Sequence, residues 1–225
     1  MQQWDFTPVL AHADLLALGL WNTLRVTLAA LGLGVPLGLV LALMRLSPRA
    51  TWRWPAGAVI EVFRTTPPLV QLFWFFFALP ILLDVEMTPY AASVATFAIQ
   101  SAAFFAEVFR AGIISVERGQ WEAARAIGMT PAQSMRRVIL PQAVKRMVPA
   151  FLERAVELMK TTTLVATVSY ADLLFQTQSI AQKTFRPLEV YTVTALIYFV
   201  VIFAASSLVH RLERRWAVSG EGTLR

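Results

Sequence analysis

The sequence predicts an all-α integral membrane protein with about five transmembrane helices. Apolar residues make up 57% of the 225-residue chain and charged residues only 15%, whereas an average soluble domain is roughly 25% charged. The mean hydropathy is +0.58, and a small globule in water has too little interior to bury so much apolar side chain. We therefore expect a single membrane domain over residues 1–225, with a core at about residues 19–214.

The first, third and fifth predicted crossings are uncharged stretches. A hydrocarbon layer about 30 Å thick requires roughly 20 helical residues, and residues 26–44, 90–106 and 190–209 contain no charged side chain. The second predicted crossing, residues 69–83, is shorter. It reaches full length only by extending backwards through residues 58–63, which adds charged positions.

The fourth predicted crossing, residues 148–174, is an apolar run interrupted by Glu153, Arg154, Glu157 and Lys160. Each of these charges costs at least ~2.5 kcal/mol against lipid, so the side chains must face protein or water. The alternative for this segment is a cytoplasmic amphipathic helix that never inserts.

The distribution of basic residues predicts the orientation, because cytoplasmic loops are enriched in lysine and arginine. Residues 45–57 carry three arginines and no acid, and residues 107–147 carry seven basic residues against three glutamates. The chain has Asp5 and Asp14 but no basic residue before Arg25. The tail adds Arg211, Arg214, Arg215 and Arg225. The N-terminus is therefore expected outside and the C-terminus in the cytoplasm. Since most of the basic residues that give the net charge of +6 lie in the predicted cytoplasmic segments, no nucleic-acid partner is expected.

The long cytoplasmic loop, residues 107–147, contains two predicted short helices. Residues 121–127 are mostly good helix formers, and Gly128 follows at the position where a left-handed residue ends a helix. This spacing predicts a first helix with a tight corner at the glycine.

The second loop helix has a complete start signal. Thr130 is an N-cap, Pro131 suits the first helical position, and Gln133 completes a capping box. The helix runs to Leu140, and Pro141 is expected to stop or kink it. Two short helices at a tight corner form a rigid knob, which is either a docking element or a compact linker on the lipid headgroups.

The residues of this knob resemble the EAA loop in the permease subunits of bacterial ABC importers. The resemblance rests on Glu122-Ala123-Ala124, on Gly128 six positions later, and on Leu140-Pro141. Val138 stands where the pattern usually has isoleucine. Further segments are similar to the polar amino-acid permeases of the histidine, glutamine and arginine type, namely residues 61–71, 106–113, 119–124 and 184–191.

The resemblance implies a division of labour among several chains in the bacterial inner membrane. A separate ATP-binding subunit would bind ATP and Mg, and this chain would have no cofactor and no catalytic residue. The absence of a G-x-x-x-x-G-K-[ST] phosphate loop agrees with that division. A second permease subunit, identical or related, would complete the path, and an extracytoplasmic solute-binding protein would deliver the solute.

The resemblance also implies roles for the knob residues. Its first helix would insert into a groove of the ATP-binding subunit, with Glu122 as a polar anchor. Ala123 and Ala124 would permit close approach, and Gly128 would set the corner. The same residues also favour any tight helical turn, so the sequence leaves both interpretations open.

Polar residues in the third and fourth crossings are candidates for a substrate path. Gln100 lies ten residues, or ~15 Å, beyond the outer end of its helix at Tyr90, and Ser101 is adjacent. Glu157 and Lys160 are expected at the same depth, where a carboxylate and a cation suit a zwitterionic solute. The alternative is a buried Glu157–Lys160 ion pair with a structural or gating role.

Small residues on the first crossing predict a helix contact. Ala30, Gly34 and Gly38 lie on one face, and small residues allow membrane helices to approach closely. We expect a packing role for this face.

Other charged and metal-binding residue types are not expected to form a site. Glu61, Arg64 and Glu107 fall near predicted membrane borders, where they would act as anchors. His12 and His210 are isolated at opposite ends of the chain, so no metal site is expected. The alternative function is an autonomous channel or secondary transporter that uses its intramembrane charges as an ion or proton relay.

Overall fold

The structure, a computed structural model, describes residues 4–217, and every regular element in that range is helical. The all-α class is therefore confirmed. Two π-helical turns, Trp74–Ala78 and Met135–Ile139, and a 3-10 helix, Thr162–Val168, join consecutive helices. The α-helices are α1 (Thr7–Leu10), α2 (Ala13–Leu46), α3 (Ala50–Thr65), α4 (Pro68–Phe73), α5 (Leu79–Leu83), α6 (Pro89–Ile114), α7 (Arg118–Ala126), α8 (Pro131–Ser134), α9 (Leu140–Thr161), α10 (Leu173–Thr184) and α11 (Pro187–Ala217).

Some residues used in the predictions lie outside the described part of the structure. They are Arg225 and the side chains of His210, Arg214 and Arg215.

Three helices within residues 4–217 are long and apolar enough to cross a membrane, namely Ala13–Leu46, Pro89–Ile114 and Pro187–Val209. They contain the first, third and fifth predicted crossings. The predicted helix over residues 148–174 is wrong in its bounds, because α9 ends at Thr161 and a 3-10 helix follows. Because of its charged residues, α9 is not among the three helices that are apolar enough to cross a membrane.

The second predicted crossing is broken in the middle. Ala50–Thr65 and Pro68–Leu83 are long and apolar enough to cross a membrane only when taken together, and the angle between the two segments is 108°. The cause is Pro67-Pro68, because proline lacks the N–H that a helix requires and disfavours a helical residue before it. Thr66 and Pro67 accordingly have extended ψ angles of 135°. Residues 58–83 are therefore not one straight helix, and the second crossing stays a prediction that only the bent pair as a whole can meet.

Gln71 stabilises this elbow from the inside. The helical partner of the Phe63 carbonyl would be the N–H of residue 67, which proline does not have. Gln71 Nε2 donates to Phe63 O at 3.0 Å and to Thr66 O at 2.8 Å, and the side chain is buried. One amide thus satisfies two carbonyl groups that the proline pair leaves without helical donors.

Replacing Gln71 with methionine is expected to destabilise the elbow. The change keeps an unbranched side chain but leaves two carbonyl groups without their donor, at a cost of about 1–3 kcal/mol. The thermal midpoint of the purified protein should fall by about 2–4 °C for each kcal/mol lost. The exposed Gln120 provides the control, and equal midpoints for Gln71→Met and Gln120→Met would contradict the assignment.

The contact between α2 and α6 confirms the predicted small-residue face. A Cβ atom built on Gly34 would lie 2.8 Å from Ser101 Cβ and 2.9 Å from Ala98 O, and one built on Gly38 would lie 2.8 Å from Ala102 O. The backbones approach this closely only because both residues are glycine. This contact fixes the position of the middle of α6, where Gln100 and Ser101 lie.

The end of α9 is attached to α2 as well. Thr27 and Thr162 share a hydrogen bond at 3.2 Å between their buried hydroxyl groups, and Leu158 packs in an apolar cluster with Val26 and Phe97. Helices α2, α6 and α9 therefore form one packed unit around the middle of α6.

Candidate functional site

A cavity of about 120 Å³ lies between the elbow, α6 and the end of α9, and we call it the central cavity. It has several times the roughly 15 Å³ that one water molecule needs. All three segments supply polar groups to its lining, and α6 supplies the aromatic ones. The lining residues are Arg64, Thr66, Pro68, Gln100, Ser101, Phe104, Phe105, Arg154, Glu157, Leu158 and Thr161.

Three of the four residues predicted for a substrate path line this cavity, namely Gln100, Ser101 and Glu157. Lys160 is exposed and lies outside the lining. The reason is helical phase: the cavity face of α9 contains positions 154, 157, 158 and 161, and position 160 is rotated by about 100° from position 161.

Glu157 pairs with Arg154 instead of Lys160. Arg154 Nη1 and Glu157 Oε2 are 2.5 Å apart, and the two side chains are 38% and 59% exposed. The alternative of a buried Glu157–Lys160 pair is therefore wrong. A partly exposed pair of this kind holds its partners weakly, so both groups stay accessible from the cavity.

Two guanidinium groups approach one aromatic ring in the cavity wall. The Cζ atoms of Arg64 and Arg154 lie 5.8 Å and 4.4 Å from the centre of the Phe104 ring, within the range of a cation–π interaction. Arg64 was expected at the membrane border as an anchor, but the bend after α3 brings it into the cavity lining. The sequence feature that could have indicated this position is the proline pair that begins three residues after Arg64, because it predicts a bend there.

A second cavity, of about 430 Å³, adjoins the first and shares Arg64, Phe104 and Arg154 with it. It continues along α6 to Ser115, so the two cavities accompany α6 for 15 residues, or about 22 Å. The other lining residues are Glu107, Val108, Ala111, Gly112, Arg146, Met147, Ala150 and Glu153. The two cavities therefore form one surface along α6 on which charged and hydrogen-bonding groups lie among apolar side chains.

The predicted knob between α6 and α9 is present, and its corner is confirmed. Gly128 has φ +78°, the left-handed conformation that glycine adopts without strain. The Thr130 N–H donates to Gln133 Oε1 at 2.9 Å and the Gln133 N–H donates to Thr130 Oγ1 at 3.3 Å, which completes the capping box. The first helix, α7, begins at Arg118 and not at residue 121.

The second helix of the knob does not stop at Pro141. A π-helical turn over Met135–Ile139 precedes the proline, and the chain stays helical into α9. A π turn changes the hydrogen-bond register, which is one way to pass a residue without an N–H. The helical path therefore runs without a break from Pro131 to Thr161 and links the knob directly to the central cavity.

The exposed side of α7 differs in part from the expectation. Glu122 and Ala123 are exposed, but Ala124 is buried and faces the rest of the protein. Ile127, at the end of the same helix, is 72% exposed although no role was predicted for it. It follows Ala123 by four residues, so the two share one helix face.

The knob is anchored by its other side. Trp121 packs against a buried apolar cluster of Val116, Ile139, Ala143 and Met147. Leu140 and Pro141 lie on the outer surface beside Val144. Among the side chains that the structure describes, no group of three or more histidine, aspartate or glutamate residues is placed to bind a metal ion.

Comparisons with known proteins agree on one kind of protein. A sequence family described as "Binding-protein-dependent transport system inner membrane component" matches residues 34–218. The glutamate/aspartate import permease protein GltK of Escherichia coli O157:H7 is 36% identical over 224 residues, 96% of this chain and 100% of the relative. The arginine transport system permease protein ArtQ of Bacillus subtilis is 31% identical over 211 residues, 94% of this chain and 96% of the relative.

A solved structure gives the same result for the fold. The crystal structure of an amino acid ABC transporter with histidines has a chain that superposes with a TM-score of 0.91 at 38% identity. The match covers 95% of this chain and 100% of the other.

Proposed function

Because this chain belongs to the family of binding-protein-dependent transport system inner membrane components, we propose that it forms the path by which an ABC importer carries polar amino acids or related solutes. The chain is a non-catalytic permease subunit of the bacterial inner membrane, and ATP is hydrolysed by a separate chain. The observation that supports the proposed path most strongly is the pair of adjoining cavities along α6, which bring charged and hydrogen-bonding side chains together. The proposal includes that residues 1–225 form a single transmembrane permease domain.

The central cavity is the proposed position of the solute during transport. Gln100 and Ser101 offer hydrogen bonds, and Glu157 offers a carboxylate to an ammonium group. Arg64 and Arg154 join this set because they line the same cavity, whereas Lys160 leaves it. The mixture of charges and amides suits a small zwitterion.

We place a second permease subunit, identical or related, over the open side of this path. The charged pair of Arg154 and Glu157 remains partly exposed in the single chain, and lipid is an unfavourable neighbour for such groups. A second subunit would replace lipid with protein or an aqueous path there.

The ATP-binding subunit, carrying ATP and Mg, is proposed to dock on the knob. Glu122 and Ala123 face outward on α7, Gly128 fixes the corner, and Leu140 with Pro141 lies where the second helix begins its run to the cavity. Residues 131 to 157 are connected by helix over about 40 Å. A displacement of the knob by the partner therefore reaches Glu157 through one continuous element.

The remaining partner is an extracytoplasmic solute-binding protein, which would dock on the face opposite the knob. This placement follows from the predicted orientation, with the N-terminus outside and the knob in the cytoplasm.

Reconstituted transport tests the proposed function. The chain is placed in proteoliposomes with a second permease subunit, an ATP-binding subunit and a solute-binding protein. Uptake of each labelled amino acid is then measured with and without ATP. We expect accumulation only with ATP and all partners present. Accumulation by this chain alone, without ATP, would contradict the proposal and indicate an autonomous channel or secondary transporter.

A further inference from the structure

The ionisable groups of the central cavity are two arginines and one glutamate, namely Arg64, Arg154 and Glu157. The other polar lining residues are uncharged: Thr66, Gln100, Ser101 and Thr161. The lining therefore has an excess of one positive charge. An excess of this kind next to an apolar protein wall favours a solute with an excess of negative charge.

The excess charge is located at Arg64. Among the described side chains, those of residues 4–209 and 211, ion pairs join Arg110 to Glu107, Arg154 to Glu157 and Arg186 to Glu189. No described carboxylate lies within 4.0 Å of the Arg64 guanidinium. Glu107, which shares the adjoining cavity with Arg64, is bound by Arg110 through two nitrogen donors. The planar guanidinium of Arg64 is thus available to bind a carboxylate with two hydrogen bonds.

Arg154 provides a second site for a carboxylate. Its present partner, Glu157, is on the same helix three residues away, and both side chains are partly exposed. Such pairs contribute little stability, so a solute carboxylate can replace Glu157 on Arg154. Glu157 is then free to accept hydrogen bonds from the solute ammonium group. Phe104 holds both guanidinium groups near one ring and so limits their separation.

We propose that the central cavity selects amino acids with an acidic side chain, because its two arginines match two solute carboxylates and Glu157 matches the one ammonium group. This inference rests on the proposed function and specifies its substrate class. A neutral amino acid would leave Arg64 without a partner. A basic amino acid would bring a second cation beside two arginines, which disfavours binding.

Binding to the permease and ATP-binding subunits, purified together without the solute-binding protein, tests the inference. Omitting the binding protein removes its own selectivity from the measurement. Labelled L-glutamate is displaced by unlabelled L-glutamate, L-glutamine or L-arginine in equilibrium dialysis. We expect L-glutamine, which has the same shape without the second charge, to bind at least about tenfold more weakly than L-glutamate, a difference of about 1.4 kcal/mol. L-arginine should bind more weakly still.

Substitutions identify the groups that carry the selectivity. Arg64→Gln and Arg154→Gln should each reduce the preference for L-glutamate over L-glutamine to below about threefold. Arg64→Lys should retain only part of it, because the charge remains but the paired hydrogen bonds of the planar guanidinium are lost. Arg49→Gln is the matched control, since Arg49 is exposed and lies outside both cavities. An unchanged preference in both cavity variants would overturn the inference.

The failures of the two proposals are distinguishable. Equal or tighter binding of L-glutamine or L-arginine, or no binding of any amino acid, overturns the acidic selectivity. ATP-dependent uptake of a neutral or basic amino acid in proteoliposomes would leave the proposed function intact while refuting this inference. Uptake that does not require ATP would refute the proposed function itself.

Discussion

Replacing Gly34 with leucine is expected to lower both the thermal midpoint and the yield of folded protein. The new Cβ would lie 2.8 Å from Ser101 Cβ and 2.9 Å from the carbonyl oxygen of Ala98. One of these neighbours is backbone inside a helix, so it cannot move without separating α2 from α6. Overpacking costs about 1–3 kcal/mol even where side chains can adjust, and here we expect at least the upper value. The thermal midpoint should fall by about 6–12 °C, measured together with the yield of monodisperse protein in detergent.

Gly32 is the matched control for this prediction. It lies in the same helix, two residues earlier, and a Cβ built on it meets nothing within 4 Å. Leucine at Gly32 adds apolar surface on the outside and improves helix propensity by up to about 1 kcal/mol. If Gly34→Leu and Gly32→Leu gave the same yield and midpoint, the glycine contact would not hold α2 against α6.

The predictable features of this protein are those that local chemistry determines. The corner at Gly128 and the capping box of Thr130 and Gln133 depend on residues within five positions of each other. Backbone preference and side-chain hydrogen bonds decide such structures before any tertiary contact forms. The uncharged crossings are similar, because the bilayer imposes one length on every spanning helix.

The features that the sequence did not predict depend on contacts between distant segments. Hydropathy read residues 58–83 as one crossing, but it does not register that two prolines remove the N–H groups a continuous helix needs. The bend moves Arg64 from a presumed border position to the cavity. Sequence spacing also placed Glu157 and Lys160 on one face, while the packing of α9 against α2 and α6 determined which part of that face meets the cavity.

If the ATP-binding subunit docks on the knob as proposed, the corner at Gly128 is the most sensitive point for coupling, because it joins α7 to the helical path from Pro131 to Thr161. Replacing Gly128 with valine is expected to lower ATP-driven uptake tenfold or more. The space around the glycine is open, so the effect comes from its φ of +78°. A left-handed conformation costs a residue with a Cβ atom roughly 1–2 kcal/mol, and a β-branched side chain suffers most. Since about 1.4 kcal/mol shifts an equilibrium tenfold, valine would populate other corner geometries.

Gly119 separates this conformational effect from the effect of added bulk. It lies in α7, a Cβ built on it also meets nothing within 4 Å, and its φ is not in the left-handed region. Gly119→Val should therefore preserve uptake, whereas Gly128→Val should lose it at an unchanged amount of protein in the membrane. Because a misdirected knob still leaves the ATP-binding subunit intact, ATP hydrolysis should fall less than uptake in the Gly128 variant. Equal uptake by the two valine variants would show that the corner does not transmit the motion of the ATP-binding subunit to α9.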